Sequence, residues 1–285
     1  MQPVRKTLQP KPRSKLRLVC GRLAFTMLRR WKWFRMRNQL ARQRTVTQLP
    51  HVIVRHTTPL FRKLRDVDVQ LQHNKAHNLS LAVERLDQVT IMPGETFSYW
   101  RLIGKPTRRK GYVDGMILFC GRMRIGVGGG LCQLSNLIYW MALHTPLQVV
   151  ERHRHSYDVF PDSGRTQPFG SGATCSYNDL DLMLFNPTGA PFQLELTLTG
   201  DALAGAWRST NPARYRYEVY ERDHAIRQEH WGGYVRHNTL YRKAFNADGD
   251  CCADEYVTEN HALMMYAPLL EADASAQSCS QEECK

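Results

Sequence analysis

Three consecutive glycines, Gly128, Gly129 and Gly130, stand just before a cysteine in the stretch "RIGVGGGLCQLSNLIYWMALH", Arg124 to His144. Glycine enters positive φ without steric penalty, so a triplet marks a backbone that turns sharply or lets another group come close. The run after the glycines is periodic. Leu131, Leu134, Leu137, Ile138, Met141 and Ala142 recur at spacings of three and four, the pattern of an amphipathic helix whose buried stripe ends near His144 and Pro146. This pairing constrains the fold strongly, because a turn bare of side chains must feed directly into a core helix. Cys132 falls in the first turn of that helix, where unpaired N–H groups and the positive end of the dipole favour thiolate over thiol. A buried cysteine packing as a small hydrophobe is the competing reading.

The next block, "LQVVERHRHSYDVF", begins like a short strand at Gln148–Val150. In an extended segment His153 and His155 share a face, so a strand beside the helix could offer either imidazole to Cys132. A solvated basic edge is the alternative for two histidines interleaved with arginines. Upstream, "HNLSLAVERLDQVTIMPGETFSYW" places Asn78 as an N-cap candidate before a helical run and turns through Pro93-Gly94 into a strand-like "ETFSYW". Downstream, Phe192, Leu194, Leu196 and Leu198 alternate with polar residues, and turns are expected at Asn186–Gly189 and Gly200-Asp201. The expected fold is α+β, with mostly antiparallel strands packed around a central helix that begins at the Gly-Gly-Gly-Leu-Cys motif.

The C-terminal part reads as β-rich: "RYRYEVYERD" alternates, "WGGY" and "NADGD" mark turns, and "YVTENHALMMYAP" is a further strand. Residues after Ala272 lack apolar content and read as a disordered tail. The implied division is a basic segment over 1–69, a central domain over 70–209, a β-rich extension over 210–271 and a tail over 272–285. A chain of 285 residues is long enough for a full core with such extensions.

The net charge of +13 is unevenly spread, with no acidic residue before Asp66. Within the basic head, Leu16, Val19, Leu23, Met27, Trp31 and Phe34 form one helical stripe with Arg and Lys largely opposite. That is the pattern of a helix lying in a membrane interface, and an anionic membrane surface is the expected partner of residues 15–37. Leu18, Phe25, Trp33 and Met36 fall outside the stripe. A nucleic-acid footprint is the other reading of basic and aromatic residues together, but no recognisable nucleic-acid motif accompanies it. The apolar run Leu23–Leu28 is too short for an export signal or a spanning helix. The expected location is therefore the cytoplasm or the inner membrane face, with action outside the cytoplasm left open.

The eight cysteines, Cys20, Cys120, Cys132, Cys175, Cys251, Cys252, Cys279 and Cys284, are irregularly spaced. No disulfide framework is required of a chain this size. Cys251 and Cys252 with His261 and Cys279 could be gathered around an ion, but no C-x-x-C pair is present, and neither metal nor cofactor is expected.

Taken together, "PGETFSYW", "GVGGGLCQLSNLIYW", "ERHRHS" and "YNDLDLMLFN" resemble the VanW family, in which PGETFS, GGGxCQ, ERxxH and a closing D-L pair occur in this order. The resemblance covers about residues 70–205. Some larger VanW-domain proteins act as L,D-transpeptidases on peptidoglycan. Carried over, the resemblance makes Cys132 the nucleophile and His155, the histidine of ERxxH, its base. The substrate it implies is a peptidoglycan stem peptide or a precursor of one. N–H groups at the helix start would hold the oxyanion, with Gly128, Gly129 and Gly130 leaving room for substrate and Gln133 polarising the carbonyl. His153, Asn178 and Asp181 are candidates for orienting the imidazole. Glu95 reads as a turn-capping carboxylate, and Arg122 and Arg124 as either a substrate-carboxylate attractor or plain basic surface. A non-catalytic protein that binds D-amino-acid wall-peptide termini is the alternative function.

Overall fold

The computed structural model describes residues 14–61, 69–119, 122–159 and 167–266, together with Pro268. The expected tail over 272–285, with Cys279 and Cys284, and Cys120 lie outside the described residues. The chain begins with α1 (Lys15–Arg35), β1 (His51–Pro59) and α2 (Val69–Leu86). Two short strands, β2 (Thr90–Ile91) and β3 (Thr96–Ser98), lead into α3 (Tyr99–Ile103) and the hairpin of β4 (Asp114–Phe119) and β5 (Arg122–Val127). The central helix α4 (Cys132–Leu143) comes next, then β6 (Gln148–Glu151), β7 (Tyr157–Asp158), β8 (Met183–Phe185), β9 (Phe192–Leu198) and β10 (Ala202–Ser209). Three longer strands close the described chain: β11 (Arg216–Gln228), β12 (Tyr234–Phe245) and β13 (Cys251–Met264). This is the expected α+β fold, and all its ladders but one are antiparallel.

The strands form a sheet of order β1-β10-β9-β2, a second of order β11-β12-β13-β7, a three-stranded β3-β8-β6 and the β4-β5 hairpin. Helix α4 packs against β1 and β10. Leu134, Leu137, Ile138, Met141 and Ala142 are all buried, joined by Tyr139 and Leu143, so the helix is covered on more than the one face its periodicity marked. Its neighbours explain this: Trp207 of β10 is fully buried and meets Phe97 of β3 edge to face. A buried leucine in such a setting contributes about 1.5–3 kcal/mol.

Two local readings are corrected. Helix α2 already begins at Val69, so Asn78 lies inside it, fully buried, rather than at its N-cap. The strand expected over "ETFSYW" stops at Ser98, whose Oγ accepts from Arg101 N at 3.3 Å and caps α3. Asp181 Oδ1 accepts from Trp100 N at 3.0 Å in the same turn. A buried carboxylate arriving from far along the chain thus ends the strand, a long-range cause that local pattern does not carry.

Among the described residues helix α1 meets the rest of the protein along one edge. Arg29 and Trp33, four residues apart, are buried, and Trp33 Nε1 donates to Ser98 Oγ at 3.1 Å. Leu16, Val19, Leu23, Met27, Trp31 and Phe34, the whole stripe read from the sequence, stay exposed. Among the described residues no helix is long and apolar enough to cross a membrane.

Candidate functional site

The glycine turn is held from below by Asn78. Its Nδ2 donates to Gly129 O at 2.9 Å and Val113 O at 3.1 Å, while its Oδ1 accepts from Val113 N at 2.9 Å. Gly128 and Gly130 have φ of 78° and 94°, values that disfavour any other residue. At Gly129 the requirement is space: a Cβ there would lie 2.1 Å from Gly115 C, backbone against backbone. Cβ atoms on Gly128 and Gly130 would meet Pro106 and Lys75. The space freed by the missing side chains is therefore filled by the protein's own turn.

Leu131 occupies the N-cap position of α4, and its carbonyl accepts from Tyr99 Oη at 2.9 Å. Cys132 comes next, half-buried. Its Sγ lies 3.6 Å from Cys175 O, as a thiol donating to a carbonyl would. The strip around Cys175 is pinned to α4 from two sides: Ser135 Oγ donates to Ala173 O at 2.7 Å, and Asn136 Oδ1 accepts from Ala173 N at 2.8 Å. On its other side, Thr174 N donates to His153 O at 2.8 Å. One strip thus links the cysteine helix to the histidine segment.

The electrostatics differ from the expectation of a poised thiolate. Burial pushes the Cys132 thiol up, and backbone hydrogen bonds from Cys175 and from Cys132 itself offset only part of that. Burial pushes the His155 imidazole down. Desolvation disfavours both charged forms, so the resting pair is neutral thiol and neutral imidazole. Among the described residues no hydrogen bond joins Cys132 to His153 or His155.

The other expected residues have distinct places. Gln133 Nε2 donates to Pro59 O at 2.8 Å and Thr58 Oγ1 at 3.2 Å, tying α4 to β1, and its N–H donates to Gly130 O at 3.1 Å. Asp181 is fully buried and accepts from Ser98 Oγ at 2.6 Å, besides Trp100 N and Leu182 N. Asn178 accepts Thr26 Oγ1 on its side chain and Arg29 Nε on its carbonyl. His153 Nε2 lies 3.2 Å from Glu151 Oε1. None of the three contacts His155 by a hydrogen bond among the described residues. Glu95 Oε2 accepts from Met92 N at 3.0 Å, the turn-capping role read from the sequence.

Glu151, first of the Glu-Arg-x-x-His residues, is the hub of an ionic cluster. It takes a forked pair of bonds from Arg29, at 2.9 and 2.5 Å, and one from Lys32 at 2.5 Å. Burial alone would raise its carboxyl, but hydrogen bonds from His153, Arg29 and Lys32 and the Arg29 charge hold it well below the usual carboxylate range. The sequence pattern gives no role at this site to Asn78, Tyr99, Cys175 or Arg29. Tyr99 at least lies inside the "PGETFSYW" motif; the others carry no local signal of what they do here.

Residues 74–208 match the family model described as VanW like protein. Over this segment the chain is VanW-like. Every element from the glycine turn to the Asp181 cap lies inside the matched VanW segment, whereas α1 and the β11–β13 strands lie outside it. Over 157 residues the chain is 36% identical to the vancomycin B-type resistance protein VanW of Enterococcus faecalis, covering 55% of this chain and 57% of that one. It is 32% identical over 130 residues to the uncharacterized protein YoaR of Bacillus subtilis, covering 46% of this chain and 41% of that one. The chain thus spans about half the length of the curated relatives it matches. No solved structure matches it at a significant level.

Proposed function

We propose that this VanW-like protein is a cysteine-dependent acyl transferase of the L,D-transpeptidase kind, acting on peptidoglycan stem peptides or their precursors and linked to glycopeptide resistance. The observation that carries this reading is the position of Cys132: a half-buried thiol at the first residue of α4, behind a rigid glycine turn, inside the VanW segment. The enterococcal relative's name supports the link to resistance.

The chemistry runs through neutral groups. His155 takes the Cys132 proton as Sγ bonds to the donor carbonyl. The C–N bond to the terminal D-amino acid then breaks, and the departing amine takes the proton from the imidazole. The thioester is resolved by an amine of a second stem, with sulfur leaving as the thiol. Since both partners rest uncharged, His155 acts as a general base during attack rather than as half of a standing ion pair.

Membrane association belongs to the same proposal. The exposed stripe of α1 supplies apolar area, and beside it Arg30, Arg37, Arg42 and Arg101 line a groove of about 260 Å³ with Trp33 and Phe34. Among the described residues no acidic side chain lines that groove. Guanidinium groups next to the exposed Phe34 suit anionic headgroups.

A non-catalytic binding role is favoured by one observation, a thiol raised by burial with no imidazole hydrogen-bonded to it among the described residues. The two readings separate by mass spectrometry of the protein mixed with a synthetic tetrapeptide stem. The transferase gives a covalent adduct on Cys132 and none in Cys132→Ala. If the wild type forms no adduct while both proteins bind the stem equally, the binding role stands instead.

A further inference from the structure

Outside the VanW segment, the β12–β13 hairpin carries a cluster with no part in the cysteine chemistry. His237 and His261 are direct cross-strand partners in antiparallel register. Glu259 shares their face because side chains alternate along a strand and it precedes His261 by two residues. His237 Nε2 lies 2.9 Å and His261 Nε2 2.6 Å from the same atom, Glu259 Oε1. The two rings stand 4.3 Å apart, and the three ligand atoms fall within 4.8 Å of one another.

We propose that His237, Glu259 and His261 form a binding site for a divalent late first-row cation of the zinc type. Imidazole nitrogen and carboxylate oxygen are the donors such ions take. In a tetrahedral site with bonds of about 2.0–2.2 Å, neighbouring donors lie about 3.3–3.5 Å apart. The two Nε2–Oε1 edges therefore need to open by about 0.4–0.9 Å, and the third edge, Nε2 to Nε2, falls within 4.8 Å. On binding, each imidazole gives up its Nε2–H···Oε1 contact, shifts through solvent to the tautomer with its proton on Nδ1 and offers the Nε2 lone pair to the ion, while the carboxylate offsets one positive charge. The fourth position faces solvent, since the side chains of Glu259 and His261 are 50% and 55% exposed. Arg154 is the opposing charge: its guanidinium interacts with Glu259 and weakens the site without blocking it.

The two cysteines on the same strand do not join this set. Cys251 and Cys252 sit at the far end of β13, ten and nine residues before His261, or about 30–33 Å away along an extended strand. On the other side, β13 pairs in parallel with β7 through Leu263 and Tyr157, and Leu263 N donates to Ser156 O at 3.1 Å. The cation site thus lies on the strand that docks the chain immediately after His155.

The experiment is calorimetric titration of the full chain with ZnCl2, run beside His237→Ala, His261→Ala, Glu259→Gln and a Cys251→Ser/Cys252→Ser variant. Thermal melting with and without the ion serves as a second readout. The expected result is one saturable site in the wild type and the cysteine variant, with a raised Tm. Each His→Ala change should weaken it by more than about tenfold, a loss that even outer-shell changes reach at metal sites. Absence of a saturable micromolar site, a site unchanged in both histidine variants, or one lost only with the cysteines would overturn the proposal. Because all three ligands lie outside the VanW segment and none is hydrogen-bonded to Cys132, the result is independent of the transferase reading.

Discussion

Arg29 of α1 and Glu151 of β6 meet as a fork, 2.5 Å at the closer oxygen, with only 8% and 12% of their side chains exposed. This pair joins a helix outside the VanW segment to the Glu-Arg-x-x-His residues inside it. Removing one member of a buried pair strands the other charge, which typically costs about 3–5 kcal/mol. Glu151→Gln should therefore lower stability by about 3 kcal/mol in denaturant melts, and Arg29→Met by a similar amount, with a double mutant less than additive. Full additivity would show that the two side chains act separately.

Acid should unfold the protein in two stages. Burial holds His155, His56 and His144 below the ordinary imidazole value of 6.5, with His144 also acting on His56. The unfolded chain then binds more protons than the native one, so stability falls as pH drops below about 6.5. Glu151 adds a second loss. Its carboxyl is depressed from 4.5, so its contribution is complete above that pH and disappears as acid carries the protein toward the folded value. Urea midpoints from pH 8 to 3 test both: a flat profile between 7 and 5 contradicts the histidine stage, and Glu151→Gln should flatten the lower one.

Asn78→Ala should loosen the glycine turn. Three main-chain groups, Val113 N, Val113 O and Gly129 O, lose their side-chain partner at a fully buried position. Each buried polar group left unmade costs about 1–3 kcal/mol, so a total loss above about 2 kcal/mol is expected, with faster amide exchange at Val113. Asn78→Asp keeps the acceptor for Val113 N and should recover only part.

Gly129→Ala tests close approach rather than conformational freedom. Its Cβ would meet the Gly115 backbone, which cannot move aside as a flexible side chain does. Overpacking of about 3 kcal/mol or more is expected, well above the effect of Gly189→Ala, where nothing lies within 4 Å of the added carbon. Equal Tm values for the two variants would disprove the contact.

Alkylation should reach Cys132 late. An ordinary thiol titrates near ~8.5, and burial places this one higher. Iodoacetamide at neutral pH should label the exposed Cys251 and Cys252 first, with Cys132 catching up only in alkali. Rapid labelling of Cys132 at pH 6 would instead mean a standing thiolate and a site organised by the helix dipole.

Much of the molecule is legible from local pattern. The α4 stripe, the β9 alternation, the long C-terminal strands and the apolar stripe of α1 all come from side-chain period. The motif order likewise places Cys132 and the Glu-Arg-x-x-His residues in one family segment. Other features depend on partners far along the chain. Asn78 is a mid-helix residue whose role exists only because Val113 and Gly129 arrive beside it, and Ser98 ends a strand because Asp181 crosses to the same turn. The thiol shows the limit most directly. A cysteine at a helix start favours thiolate by local rules, but the Thr174–Cys175 strip lies against it, and burial raises the thiol by more than its backbone hydrogen bonds lower it. Periodicity and turn chemistry are short-range and are written in consecutive residues; desolvation and long-range hydrogen bonds are set by which segments the fold brings together.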